Sequence, residues 1–108
     1  MAVLACASAN ADPAIHKFLL WGQMKPAAKV DFYKGWTNGF LLAKGSPGDH
    51  FARCLYTLSY EQVIAVIDKR YNDHPERWSN AIGLEVLEAL TGKGGPCEGK
   101  NPIAADSE

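Results

Sequence analysis

Apolar side chains recur along this chain at intervals of three and four, the period of a helix with one buried face. The recurrences fall into four segments separated by Gly and Pro. The first opens at Asp12, a candidate N-cap, with Pro13 in the first helical position; Ile15, Phe18 and Leu19 share one face, and Gly22 ends it. The second begins at Pro26, after Lys25, carries Val30, Tyr33, Thr37, Phe40 and Leu41 on its stripe, and closes at Gly45. Gly35 and Gly39 lie on one face of it. Each costs about 1 kcal/mol relative to Ala inside a helix, so their presence predicts close approach of another helix. In the third segment Ser59 is the N-cap, and Gln62 three residues later completes a capping box ahead of the stripe Val63, Val66, Ile67 and Tyr71. It ends near residues 72–74. The fourth restarts at Pro75, capped by Asp73 or His74. It descends through Trp78, Ile82, Val86 and Leu90, with Ala81 and Ala89 beside them, to Gly92 as its C-terminal cap.

Residues 45–58 interrupt the helical period. Pro47 and Gly48 form a turn signal there, with room for a short extended piece at 51–56. No pair of strands with a turn between them appears, so the predicted class is all-α, a small four-helix domain. The chain of 108 residues holds one domain, because a second core would need roughly another 100 residues. Its 47% hydrophobic and 10% aromatic content excludes a disordered chain. Eleven basic against 12 acidic side chains leave a net charge of −1 with no basic block. Nucleic acid and anionic membrane surfaces are therefore not expected partners.

Residues 1–11, MAVLACASANA, carry no charge and end in Ala9, Asn10 and Ala11, a small-residue pattern of the kind that precedes a signal-peptidase cut. They lack the basic start and the longer apolar stretch of a whole secretory signal. The expectation is the remnant of one, cut before Asp12, with an ordinary N-terminal tail as the alternative. Val3 to Cys6 are similar to the box before a lipidated cysteine, which makes anchoring at Cys6 a variant of the same export. No other stretch reaches the roughly 20 apolar residues of a membrane span. With Cys6 in the leader, Cys54 and Cys97 remain as one pair. A bond between them would clamp the hairpin of the third and fourth helices at its open end and contribute about 4 kcal/mol. The alternative is two free buried thiols in a reducing compartment. The domain would then run from residue 12 to 98, followed by a polar tail over 99–108.

Candidate chemistry is sparse. Asp49 and His50 precede Cys54, but a half-cystine cannot act as a nucleophile. His16, His50 and His74 stand singly, without metal-ligand spacing. Glu85 and Glu88, three apart, read as a solvated face rather than an acid/base pair. The glycines at 92–95 end a helix and so sit at the wrong end to bind an anion. No cofactor, metal or catalysis is expected. Trp78 lies on its stripe and belongs to the core, whereas Trp21 and Trp36 are either core residues or anchors for a partner.

From Tyr33 to Cys97 an ordered series is present: Tyr33, Gly35 and Gly39 in YKGWTNGF, then Cys54, Ser59 and Gln62 ahead of VIAVIDKRY, then His74, Pro75 and Glu76, then Ala81, Val86, Ala89 and Leu90, and finally Pro96 and Cys97. In this the chain resembles the Rap/Tai group of small periplasmic immunity proteins of type VI secretion systems. Members usually carry a further cysteine pair. This chain has residues 18–21 and Phe32 in those neighbourhoods, which is what loss of one whole disulfide would leave. The resemblance implies an exported helical protein that binds a peptidoglycan-cleaving amidase effector and blocks its cleft, with dimers in at least some members. It transfers no binding residue. An inhibitor of this kind needs a rigid scaffold and an element shaped to a cleft. The segment Lys44, Ser46, Pro47, Asp49 and His50 is the candidate for that element, with Trp36 as a second contact and a plain connection as the alternative. Two competing expectations are a periplasmic acid-stress chaperone of the HdeA kind and a helical binding module outside secretion. For the chaperone, full protonation would leave 11 basic side chains and 3 histidines charged and mutually repelling.

Overall fold

The structure, a computed structural model, describes residues 17–103. The expected leader remnant over 1–11 with Cys6, the helix start at Asp12 and Pro13, His16 and the tail residues 104–108 lie outside the described residues. The fold is all-α. Its helices of eight residues or more are α1 (Pro26–Lys44), α2 (Asp49–Tyr56), α3 (Tyr60–Asp73) and α4 (Ile82–Thr91). Short 3₁₀ turns occupy Phe18–Gln23, Ser46–Gly48 and Pro75–Arg77. Among the described residues no strand is present; Lys17 and Ala81 form an isolated antiparallel bridge.

Two helices follow the predicted signals closely. Pro26 starts α1 in the first helical position, and Gly45 ends it at φ 62°, its N–H bonded to the Leu41 carbonyl. The capping box of α3 is complete: the Gln62 N–H donates to Ser59 Oγ at 3.1 Å, and the Ser59 N–H donates to Gln62 Oε1 at 2.7 Å. One orphan donor on each side of the helix start is thereby satisfied.

The other expectations require correction. Residues 51–56 are not extended; they belong to α2, whose Phe51, Cys54 and Leu55 repeat at helical spacing after the turn at Pro47 and Gly48. The described part of the first predicted helix is a six-residue 3₁₀ helix, with Phe18 and Trp21 buried. The fourth predicted helix is broken. Pro75 starts only a short turn, Ala81 is extended at φ −61° and ψ 134°, and α4 begins at Ile82. The break has a tertiary cause. The carbonyls of Trp78 and Asn80 accept hydrogen bonds from the N–H groups of Leu19 and Phe18, each at 2.9 Å, so they are committed before a helix can use them.

Gly35 and Gly39 do not admit a neighbouring helix, for a Cβ added at either would meet nothing within 4 Å. The close approach occurs at Gly83 on α4, where a Cβ would lie 2.9 Å from Trp36 Nε1 on α1. Trp21 is fully buried in the core with Phe18, Phe51, Ile67, Val86 and Leu90. Its indole N–H donates to Asp68 at 2.7 Å, the same oxygen that pairs with Lys29 at 2.7 Å. Trp78 stacks on Tyr71 with centroids 4.5 Å apart and donates to the Tyr71 carbonyl at 2.8 Å.

Glu85 is not on a solvated face. It occupies the buried stripe of α4 at 0% exposure, where it accepts from Arg70 Nε on α3 at 2.7 Å and from Asn80 Nδ2 at 2.8 Å, with Arg77 at 3.8 Å. Both carboxylate oxygens are thus occupied by partners from α3 and from the connector that precedes α4. A buried carboxylate needs such partners to offset its desolvation.

At the opposite end of the antiparallel α3–α4 pair, Cys54 of α2 is bonded to Cys97, with Cα atoms 5.9 Å apart. Residues 92–99 fold back over the end of α4 to bring this about: the Cys97 N–H donates to the Leu90 carbonyl at 2.8 Å and the Gly99 N–H to Thr91 at 3.1 Å. Gly95 makes the return passable, since a Cβ there would lie 2.6 Å from the Ala89 carbonyl oxygen.

Two outcomes are expected. The bridge spans 43 residues, so Cys54→Ser should lower unfolding stability by about 4 kcal/mol under oxidising conditions; equal melting temperatures for mutant and parent, with and without reductant, would contradict this. Gly35→Ala and Gly39→Ala, into open space on a helix, should each raise stability by about 1 kcal/mol, measurable by urea unfolding.

Candidate functional site

The turn joining α2 to α3 places three tyrosines around one open groove of about 520 Å³. Tyr33, Lys34, Thr37 and Asn38 line it from α1, Leu55 and Tyr56 from α2, and Leu58, Ser59 and Tyr60 from the junction. The sequence places them there simply. Positions 33, 34, 37 and 38 are successive turns of one side of α1, and α2 ends at Tyr56 just where α3 must begin. The Thr57 hydroxyl closes α2 by donating to the Cys54 carbonyl at 2.6 Å.

Tyr33 is the floor, only 4% exposed, and the ring of Tyr60 meets it edge-on at 6.1 Å. The walls are open to solvent: Tyr56 is 81% exposed and Tyr60 48%. The Lys34 ammonium lies 5.3 Å from the centre of the Tyr60 ring, within the range of a cation–π contact. Thr37 spends its hydroxyl on the Tyr33 carbonyl at 2.7 Å, and Ser59 spends its own on the α3 cap. Burial pushes the Tyr33 phenol above its ordinary 10.0; Thr37 acts against the shift and Tyr60 adds to it. Elsewhere, the Lys69 hydrogen bond holds Asp73 below its ordinary range, and the His74 hydrogen bond does the same for Glu76. Both carboxylates face solvent, Asp73 at the last residue of α3 and Glu76 in the turn that follows.

The sequence-predicted contact residues lie elsewhere. Lys44 closes α1, and Ser46 to Gly48 form a tight 3₁₀ turn leading directly into α2 at Asp49 and His50. Ser46, Pro47, Asp49 and His50 are exposed, while Gly48 is buried against Leu41 and Lys44. None of them lines the groove. Trp36 stacks on Phe40 at 5.2 Å and meets Phe51 edge-on at 6.5 Å, so it is half-buried in the core margin. Ser59, Gln62, His74 and Pro75 serve the scaffold, with His74 Nδ1 2.8 Å from Glu76. The groove residues Lys34, Asn38, Tyr56 and Tyr60 escape periodicity arguments, because they lie off the apolar stripes. Two tyrosines at polar positions flanking an N-cap were the available signal.

Among the described residues no cluster of three metal-ligating side chains occurs, and no helix is long and apolar enough to cross a membrane. The fold and groove define a class: a small all-helical domain, closed by one disulfide, with an aromatic groove beside the closure. Comparison with protein-family models, with curated proteins and with solved structures finds no match.

The Tyr33 shift has a definite sign. The unfolded chain releases this proton near pH 10 and the folded chain above it, so stability is present below that value and declines as pH rises through the folded pKa. A titration of tyrosinate absorbance should show a high-pH phase that Tyr33→Phe removes; an identical curve for the variant would contradict the shift.

Proposed function

We propose that this protein is a periplasmic immunity protein that binds a type VI secretion peptidoglycan amidase and blocks its active-site cleft. The observation that carries the reading is the coincidence of a covalent clamp and an exposed aromatic wall at one end of the α3–α4 pair: Cys54 is bonded to Cys97, and Tyr56, two residues on, is 81% exposed. A disulfide persists in oxidising compartments, which fits export. A cross-linked scaffold loses little conformational freedom on binding, and exposed tyrosines are the residue type that anchors protein interfaces. The choice of an amidase rests on the ordered series from Tyr33 to Cys97 that resembles the Rap/Tai group. The exposed turn at Ser46, Pro47, Asp49 and His50 would form a second contact, and a homodimer is compatible with the same surfaces.

The test is inhibition. Oxidised protein mixed with purified type VI peptidoglycan amidases should form a stable complex with one of them and abolish its cleavage of peptidoglycan. Undiminished amidase activity at a ten-fold excess of this protein, across the amidase families, would overturn the reading.

A further inference from the structure

We propose that the tyrosine groove is a receptor for a carboxylate-bearing peptide segment, an acidic residue next to an aromatic or aliphatic one, presented by a loop of the partner protein. The proposal rests on the reading of this chain as a binding protein and goes beyond it by assigning the site and its ligand chemistry.

Charge decides the first half. Among the described residues Lys34 is the one charged side chain lining the groove. Its ammonium is held against the Tyr60 ring and has no carboxylate within 4 Å among the described residues. A cation placed over an aromatic face and left without a counter-ion, at the edge of an apolar floor, is complementary to an anion. A single lysine in a chain of net charge −1 does not suit a polyanion, but it does suit one carboxylate. Shape and surface decide the second half. Tyr33 and Leu55 form a buried floor, and Tyr56 stands 81% exposed at the rim. An apolar side chain laid there would remove ring surface from water on both partners. The Asn38 side-chain amide makes no hydrogen bond among the described residues and lines the groove, so it is available to a peptide group, which needs both a donor and an acceptor. At about 520 Å³ the groove lies in the usual range for recognition clefts. A sugar ring is the poorer fit, because the Tyr60 face on which it would stack is taken by Lys34.

The test uses the oxidised full chain and two terminally blocked peptides, Gly-Phe-Glu-Gly and Gly-Phe-Gln-Gly, followed by backbone amide chemical shifts. The glutamate peptide should move amides of residues 33–38 and 55–60 and bind about three-fold more tightly than the glutamine peptide, the size expected of one partly exposed ion pair. Lys34→Gln should bring the two peptides level, Tyr56→Ser should weaken both, and Lys93→Gln, outside the groove, should change neither. Shifts confined to other residues, or equal affinity of the parent protein for both peptides, would overturn the proposal. So would groove amides that move on simple concentration of the protein, because a second copy would then be the occupant. No amidase is present in this titration. Its failure therefore leaves the immunity reading standing, and failure to inhibit any amidase leaves the peptide result standing.

Discussion

The covalent bond between Cys54 and Cys97 joins two segments that could not hold their positions alone. α2 has eight residues, below the length of roughly 12 at which an isolated helix becomes even marginally stable in water. Residues 92–99 form turns without a regular ladder and are tied to α4 through the Leu90 and Thr91 carbonyls. The bond makes each the support of the other. It also sets the position of Leu55 and Tyr56, the next residues along α2, and so one wall of the groove. The rigidity of the candidate site is thus a consequence of the closure of the fold.

The other end of the α3–α4 pair is held by different physics. The carboxylate of Glu85 is fully buried, and its two oxygens are shared between Arg70 on α3 and Asn80 and Arg77 on the connector. Such a group adds little net stability over an apolar residue of the same shape, but removing one partner would leave a buried charge or amide without compensation. What it specifies is register. It fixes which turn of α3 faces which turn of α4, and it fastens the irregular segment 78–81 that receives the backbone of the N-terminal turn through Phe18 and Leu19. A covalent restraint at one end and an ionic one at the other leave the pair little freedom to slide. A surface presented by the pair is accordingly preorganised, which lowers the ordering cost of any association it makes.

The same contrast explains where local signals succeeded and where they failed. The Ser59 and Gln62 box and the Pro26 to Gly45 span were legible because capping and φ restrictions act over a few residues. The cysteine pair was legible by counting. The helix at Asp49–Tyr56 is hidden in the sequence because the Pro47 and Gly48 turn signal masks two turns of apolar spacing. Glu85 is hard to place from sequence because its type suggests solvent while its position, three after Ile82, lies on the buried stripe. The groove was the least legible feature, since its residues come from three elements and share no local pattern.

The amino-acid sequence by itself determined the all-α class and the starts of α1 and α3, which depend on short-range sterics, capping and composition, and it singled out Cys54 and Cys97 as a candidate pair. Only the tertiary structure decided that the fourth helix breaks before Ile82, that Gly83 rather than Gly35 or Gly39 accepts a neighbour, and that Tyr33, Tyr56 and Tyr60 converge. Each of these depends on a contact between residues distant in the chain: a carbonyl claimed by Phe18, an indole pressed on α4, a helix end fixed by a bond to Cys97. Such contacts override local preference because a backbone group already bonded, or a space already filled, cannot be used twice.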